Sequence, residues 1–399
     1  MLRWSRFTFL ALCGASGCGG GAPPPGSPDL AQLIDAGSDF TAPPIDFSLP
    51  SRDPTNHPPL PLMSKHGGPV LKAMEIWTVV WPGEEDLGAR IDRFHSWMLK
   101  SDYWNRSLAQ YGVGPGRANG VIVLPSAAPA QMDVGEFDGL SSMLAKQHPA
   151  NSNTVFAFVV PLTTQVTGGP GGNGCFSYGG YHTQTLDGLP YEVNLQCGGE
   201  GSGGIDELTF VLSHEAAETA TDPRPFANPA WYSDDFANLG EVGDLCNPLS
   251  VSLPSGNPPS DGGVTDDTYY LARLWSNKNA SLGDLDPCVP IPMGEVYFNV
   301  GVNPNSGTAT LDKHGEASFP IKFEPFSYGE VGTIHWQVMQ GIPGASITPN
   351  HGIARAGDTI AGVITITPIA QPGTFIFSLS AQAQKTGGSQ QWFGTLTIQ

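Results

Sequence analysis

The hydrophobic pattern of this chain changes period once, and that change limits what the chain can fold into. From about residue 66 to 290, apolar runs of strand length alternate with stretches of helical spacing. From about 293 to 399 only period-two alternation remains. In the first part, 74–81 is apolar, β-branched and aromatic, which predicts a buried strand. Leu87, Ile91, Phe94 and Met98 recur at helical spacing, so 85–100 reads as an amphipathic helix. Residues 120–124 and 154–161 read as further buried strands, with a helix marked by Phe137, Leu140 and Leu144 between them. This β-α-β-α-β order predicts an α/β core of two or three layers. A glycine-rich stretch, 168–204, follows, and then a helix from about Ile205 to Ala220 that Asp222-Pro223 ends.

In the second part Ile334, Trp336 and Val338 alternate, as do Phe375, Phe377, Leu379 and Ala381, and again Trp392, Leu396 and Ile398. Turn signals at Pro349-Asn350 and Pro372-Gly373 separate them. The expectation is a small all-β, immunoglobulin-like sandwich over 293–399, a spacer or binding module without evident chemistry. The α/β domain spans 63–290.

Before both lies a segment of a different kind. Arg3 and Arg6 form a positive start, and residues 7–13 an apolar run too short to span a bilayer. Ala15-Ser16-Gly17-Cys18 resembles the lipobox of bacterial lipoproteins, with Ala15 where leucine is usual. The resemblance implies a signal peptide over 1–18 and lipidation of Cys18. A plain secretory signal cut nearby is the alternative. Residues 19–62 are rich in glycine and proline and read as a semi-extended tether. Gly19 after the cysteine is compatible with the outer membrane or cell surface. The expected attachment to a membrane is through the lipid alone.

Export gives meaning to the remaining cysteines, Cys175, Cys197, Cys246 and Cys288, which in an oxidising compartment suggest two disulfides. Of the three pairings, Cys175–Cys197 and Cys246–Cys288 each close a modest loop and are favoured. No CxxC pair is present, which argues against a zinc ribbon. The net charge of −19 should repel nucleic acid and anionic headgroups, so neither is an expected partner.

The stretch most informative about chemistry is Leu212-Ser213-His214-Glu215-Ala216-Ala217-Glu218-Thr219-Ala220-Thr221-Asp222-Pro223. On a helix, His214 and Glu218 share one face and can reach one cation. Glu215 stands one residue along, where a general base would sit. The pattern resembles the HExxH helix of zincins with the second histidine replaced by glutamate, and admits a zincin-like α+β arrangement of the domain. A third ligand must come from elsewhere. Glu241, in Gly240-Glu241-Val242-Gly243-Asp244-Leu245-Cys246, is the leading candidate, with Asp222, Asp244 and His182 as competitors. The flanking Phe210, Val211, Leu212, Ala216 and Ala217 make this a buried helix, where uncompensated carboxylates are costly. Zn²⁺ is the expected cation. The carboxylate-rich set also suits harder divalent ions such as Ca²⁺ or Mn²⁺.

Other patterns fall short. The 168–172 glycine cluster lacks the strand, helix and lysine of a P-loop. No serine has the Gly-x-Ser-x-Gly setting of a hydrolase nucleophile. His66-Gly67-Gly68-Pro69 reads as a turn into the first strand, and Trp231, Tyr232 and Trp275 as packing.

Taken together, His66-Gly67-Gly68-Pro69-Val70-Leu71 before the 76–81 strand, Gly174-Cys175, Gly180-Tyr181-His182-Thr183, Gln196-Cys197, the Ser213-His214-Glu215 helix ending at Asp222-Pro223, and Gly240 to Cys246 with Cys288 resemble the EXORDIUM/phosphate-induced protein family and its bacterial lipoprotein relatives. The resemblance covers roughly 66–290 as short motifs. It implies an extracellular, wall-associated protein with a zincin-like fold and no established enzyme activity. Two functions are therefore expected to compete. One is a surface-anchored metal-dependent hydrolase, a peptidase acting on peptide or protein. The other is a non-catalytic adhesion or wall-polymer-binding lipoprotein whose metal site is structural or degenerate.

Overall fold

The alternation in residues 154–160 explains how the first part of the chain is layered. Val155, Ala157 and Val159 of this strand join one hydrophobic core, and Phe156, Phe158 and Val160 join another. Successive side chains of a strand point to opposite faces, so a strand apolar at every position needs cover on both.

The structure, a computed structural model, describes residues 60–169, 172–197, 205–234, 240–247, 249–255, 268–282, 286–291, 298–304, 306–327, 331–340, 342, 344–366, 372–384 and 389–399. The expected signal segment, Cys18 and nearly all of the tether lie outside the described residues.

The order of elements is β1 (Met63–Lys65), β2 (Glu75–Val80), α1 (Glu85–Met98), α2 (Asp102–Leu108), β3 (Arg117–Val123), β4 (Gln131–Asp133), α3 (Val134–Gln147), β5 (Thr154–Val160), β6 (Gln165–Thr167), β7 (Gly180–Gln184), β8 (Pro190–Leu195), α4 (Ile205–Thr221), β9 (Trp231–Ser233), β10 (Ser250–Pro254), β11 (Thr268–Ala272), β12 (Leu274–Trp275), α5 (Asn277–Leu282) and β13 (Cys288–Val289). Nine strands follow: β14 (Phe298–Asn303), β15 (Ser306–Ala309), β16 (Ala317–Ser327), β17 (Thr333–Gln340), β18 (Ala345–Thr348), β19 (His351–Arg355), β20 (Ile360–Ile366), β21 (Gly373–Ala383) and β22 (Ser389–Ile398). Among the described residues strands outnumber helices, and the structure is mostly β.

The central sheet has five strands in the order β3-β2-β5-β8-β7. Its first four strands are parallel, and β7 closes the edge antiparallel to β8. One face is covered by α1, α2 and α4 through Ile91, Phe94, Met98, Trp104, Leu108, Leu212 and Ala216. The other face is covered by α3 through Phe137 and Leu144. Each such fully buried Leu, Ile or Phe contributes about 1.5–3 kcal/mol. Asp133 caps α3 in a capping box with Glu136.

Helix α4 is buried on more than its core face. Leu208, Leu212, Ala216 and Ala220, spaced by four, meet the core, and Thr209, Ser213 and Ala217 are buried as well. The Ser213 hydroxyl accepts from Ala272 N at 2.9 Å and so ties α4 to β11. Pro223 cannot continue the helix, and Leu71 N donates to the freed Ala220 carbonyl at 2.9 Å.

Both favoured disulfides are formed, Cys175–Cys197 and Cys246–Cys288. They mark the protein of an oxidising compartment, extracellular or periplasmic. Among the described residues no helix is long and apolar enough to cross a membrane.

The last strands form two sheets, β14-β16-β20-β18 and β15-β22-β21-β17-β19. Phe323 of the first meets Trp336 of the second with ring centroids 4.6 Å apart, and Val300, Ile364, Phe377 and Leu396 fill the same interior. This is the all-β sandwich that the alternation predicts.

Candidate metal centre

Three stretches of chain deliver titratable side chains to one buried place. Helix α4 brings His214, Glu215 and Glu218; edge strand β7 brings His182; and the loop 240–246 brings Glu241 and Asp244. The helical repeat puts His214 and Glu218 one above the other, with His214 Nε2 3.2 Å from Glu218 Oε1. The same Nε2 lies 3.4 Å from Asp244 Oδ1.

The loop reaches the helix because it carries glycine at two points. A Cβ on Gly243 would come within 2.6 Å of His214 Nδ1, so only glycine lets the backbone lie against the imidazole. Gly240 has φ +151°, a value L side chains rarely adopt. The backbone N–H groups of Gly243 and Asp244 both donate to Glu218 Oε1, at 3.2 and 3.1 Å. The Cys246–Cys288 bridge and the bond from Trp275 N to Val242 O, 2.7 Å, anchor the loop.

His182 stands on the other side of Glu218. Its Nδ1 lies 3.6 Å from Glu218 Oε2 and 3.7 Å from Glu215 Oε2, and its Nε2 lies 3.1 Å from Glu241 Oε2. Gly180, two residues before it, backs onto Glu215: a Cβ there would meet Glu215 Oε1 at 2.8 Å.

Of the four residues the sequence analysis put first, His214, Glu215 and Glu218 sit together as expected. Glu241 arrives at the same place but pairs with His182, and Asp244, a runner-up, takes the position against His214. Two donor groups result, His214 with Glu218 and Asp244, and His182 with Glu218 and Glu241; in each, the ligand atoms lie within 4.8 Å of one another. Of the other two runners-up, His182 joins Glu218 and Glu241 in the second group, and Asp222 caps the loop after α4 by accepting from Ala230 N at 2.9 Å. It also approaches Glu241, and two carboxyls can hydrogen-bond only if one keeps a proton.

Electrostatics follow from burial and crowding. Burial would lower His182 and His214, but the carboxylates of Glu241 and Glu215 around the first, and of Glu218 and Asp244 around the second, hold both well above the usual imidazole value. Burial raises Glu215 and Glu241. Burial also pushes Glu218 up, yet the two histidines outweigh it and hold Glu218 below its ordinary range.

One participant was missed. Glu192 of β8 is fully buried, faces His182 across the β7–β8 register, and is pushed well up by burial and by Glu215. Its signal was available: Glu192 and Asn194 interrupt Pro190–Leu195, a strand buried at every position.

The donors fit a divalent cation. Two ligands about 2.1 Å from one ion at a tetrahedral angle lie about 3.4 Å apart, and the 3.2 and 3.4 Å separations about His214 Nε2 match that spacing. Asp244, with a side chain 22% exposed, opens this group toward solvent, while Glu241 at 2% lies deep.

Around the N-terminal motifs the remaining expectations resolve as packing. His66 stacks on Tyr232 with centroids 3.7 Å apart, and Gly68 N donates to Pro229 O at 2.9 Å, so this segment docks on the loop after α4. Trp275 is buried, and Trp231 Nε1 donates to Tyr111 O at 3.0 Å.

No protein-family model and no curated protein matches the chain. Among solved structures it is similar to a C. elegans MSP family member at 14% identity, over 25% of this chain and 97% of that one, with a TM-score of 0.20. It is also similar to a PapD-like domain of human CEP192 at 12% identity, over 29% of this chain and 91% of that one, with a TM-score of 0.22. A third is the YadV chaperone, at 11% identity over 26% of this chain and 51% of that one, with a TM-score of 0.20.

Proposed function

We propose that this protein is an exported, lipid-anchored, metal-dependent hydrolase of the zincin kind, acting on peptides at the cell surface. The observation that carries the reading is the convergence of His214, Glu218 and Asp244 about one point, with Glu215 beside them. His214, Glu218 and Asp244 would hold the cation, Zn²⁺ by preference, in place of the set with Glu241 that spacing favoured. A divalent ion there supplies positive charge that acidifies water and polarises a carbonyl.

The chain's own residues supply the rest. Glu215 accepts the proton of the attacking water at a carboxylate oxygen and returns it to the leaving amine. His182, 3.7 Å from Glu215 Oε2, orients that carboxylate. Among the described strands β7 pairs with β8 alone, so its outer edge offers backbone groups to an extended peptide. The mixed sheet, the buried α4 and the antiparallel edge strand support a zincin-like domain.

The test is metal analysis of protein purified without added metal, paired with a Glu215→Gln variant assayed on a peptide library. The reading expects bound metal in both proteins and hydrolysis in the parent only. A metal-free parent, or equal hydrolysis by the variant, ends it.

A second reading is a binding lipoprotein with a structural metal. It draws on the sandwich of β14 to β22, a two-sheet module apart from the residues of the His214 group. Activity unchanged by Glu215→Gln, with metal-dependent thermal stability and wall-polymer binding, would favour it.

A further inference from the structure

We infer that this centre takes two divalent cations, with Glu218 bridging them through its two carboxylate oxygens. The inference rests on the preceding reading of the His214 group and adds a second site made by His182, Glu241 and Glu218.

Glu218 divides its oxygens between two partners. Oε1 faces His214 Nε2 at 3.2 Å, and Oε2 faces His182 Nδ1 at 3.6 Å. A carboxylate clamped between two imidazole-carboxylate groups has the disposition of a bridging ligand. Each group brings its own second acid, Asp244 on one side and Glu241 on the other. An ion takes one nitrogen of an imidazole, and the inner group offers one His182 nitrogen with a Glu218 and a Glu241 oxygen, all within 4.8 Å of one another.

The inner group has donor atoms without hydrogens to meet them. Glu241 is 2% exposed, and its Oε1 has no hydrogen-bond partner. The Nε2 of His182 lies 3.1 Å from Glu241 Oε2, yet their alignment falls short of a hydrogen bond. A nitrogen and an oxygen that ligate one ion sit this way, because the ion takes the lone-pair axis and the oxygen lies to its side. Asp222 is also buried; its carboxyl group meets that of Glu241, and either a proton kept by one of them or a cation beside them satisfies the pair.

Charge points the same way. In the inner group one imidazole, His182, faces the buried carboxyl groups of Glu218 and Glu241, and an ion held at His214 adds no ligand to Glu241. Oxygen-rich donors suit Mn²⁺, and the one imidazole in each group also accommodates Zn²⁺. Ligand distances of about 2.1 Å place donors roughly 3–4 Å apart, and the ligand atoms of the inner group lie within 4.8 Å of one another.

The experiment uses the full chain with both disulfides intact, stripped with a chelator and equilibrated with Zn²⁺ or Mn²⁺. Bound metal is counted by mass spectrometry, and the Mn²⁺ form is examined by electron paramagnetic resonance. The expected result is two ions per chain and an exchange-coupled Mn²⁺ spectrum. Glu241→Gln and His182→Gln should each reduce the count to one and give an isolated-ion spectrum. If a variant fails to fold, the parent's count and spectrum decide. One ion per chain, unchanged in these variants, overturns the inference and leaves the hydrolase reading standing, with His182 an imidazolium wedge among carboxylates. Two ions unaffected by either variant overturn the placement. No bound ion in the parent defeats both readings.

Discussion

Gly243 lies against the imidazole of His214 so closely that a Cβ there would come within 2.6 Å of Nδ1 and 2.8 Å of Cε1. The backbone of Gly243 is held, since Gly243 N is bonded to Glu218 Oε1 and Cys246 N to Gly243 O, so the imidazole must give way. Gly243→Ala should therefore tilt the ring and weaken Zn²⁺ binding by about 10- to 100-fold, the usual range for a residue that orients a ligand. Competition with a chromophoric chelator measures it. Unchanged affinity in a folded variant would place the metal away from His214.

Gly180 plays the same part for Glu215, because a Cβ there would meet Glu215 Oε1 at 2.8 Å and Val211 Cγ1 at 2.7 Å. Gly180→Ala is expected to lower kcat by 10²-fold or more, roughly the lower end of what a positioned general base contributes. KM and metal content should change little, since no ligand of the His214 group is displaced. Steady-state kinetics on a hydrolysed peptide, with metal analysis alongside, checks the separation.

His95, which belongs to neither ligand group, gives a pH dependence of its own. It is fully buried, its Nδ1 lies 3.0 Å from Thr78 Oγ1, and burial lowers its pKa from 6.5 to about 3. Above pH 6.5 the ring is neutral in both folded and unfolded chains, so it adds no pH dependence. As pH falls below 6.5 the unfolded chain takes up a proton that the folded chain refuses until about pH 3. Stability is lost through that window at about 1.4 kcal/mol per pH unit. Urea unfolding of the parent and of His95→Gln should show a shallower acid-side slope in the variant, and parallel slopes would refute the assignment.

Arg273 and Asp286 form a buried ion pair at 2.8 Å, with Arg273 Nε also donating to Cys288 O at 2.8 Å and Cys288 N to Asp286 Oδ1 at 2.8 Å. Burial raises the Asp286 pKa even beside the guanidinium. Asp286→Ala strands the charge of Arg273 in the interior and should cost about 3–5 kcal/mol. The double variant Arg273→Met with Asp286→Leu should cost less than either partner's loss alone, which equilibrium unfolding can resolve.

The Cys246–Cys288 bridge pins the loop that carries Glu241 and Asp244. Replacing both cysteines by serine should lower stability by about 2–4 kcal/mol. It should also weaken metal binding, because the loop loses its anchor beside β13. Breaking Cys175–Cys197 in the same way should destabilise the protein and leave Zn²⁺ affinity nearly unchanged.

Much of the local structure was legible in the residues. The apolar runs at 74–81 and 154–161 became β2 and β5, and Leu87 to Met98 became α1, because side-chain period depends on backbone geometry alone. The spacing of His214 and Glu218 was enough to place them on one face of α4 for the same reason. The alternation after 293 was enough for a two-sheet sandwich, since strands polar on one side need only one partner sheet.

What tertiary structure alone decided was which acid meets which imidazole. Glu241 and Asp244 are three residues apart, with glycine at 240 and 243; Asp244 begins a single 3-10 turn and accepts from Glu241 N at 3.1 Å, too short a stretch for a periodic pattern to show in the residues. Their aim follows from the disulfide, from the Trp275–Val242 bond and from the contact of Gly243 with His214. His182 reaches Glu218 and Glu241 only because β7 pairs antiparallel at the edge of the central sheet, a long-range pairing that local periodicity does not encode.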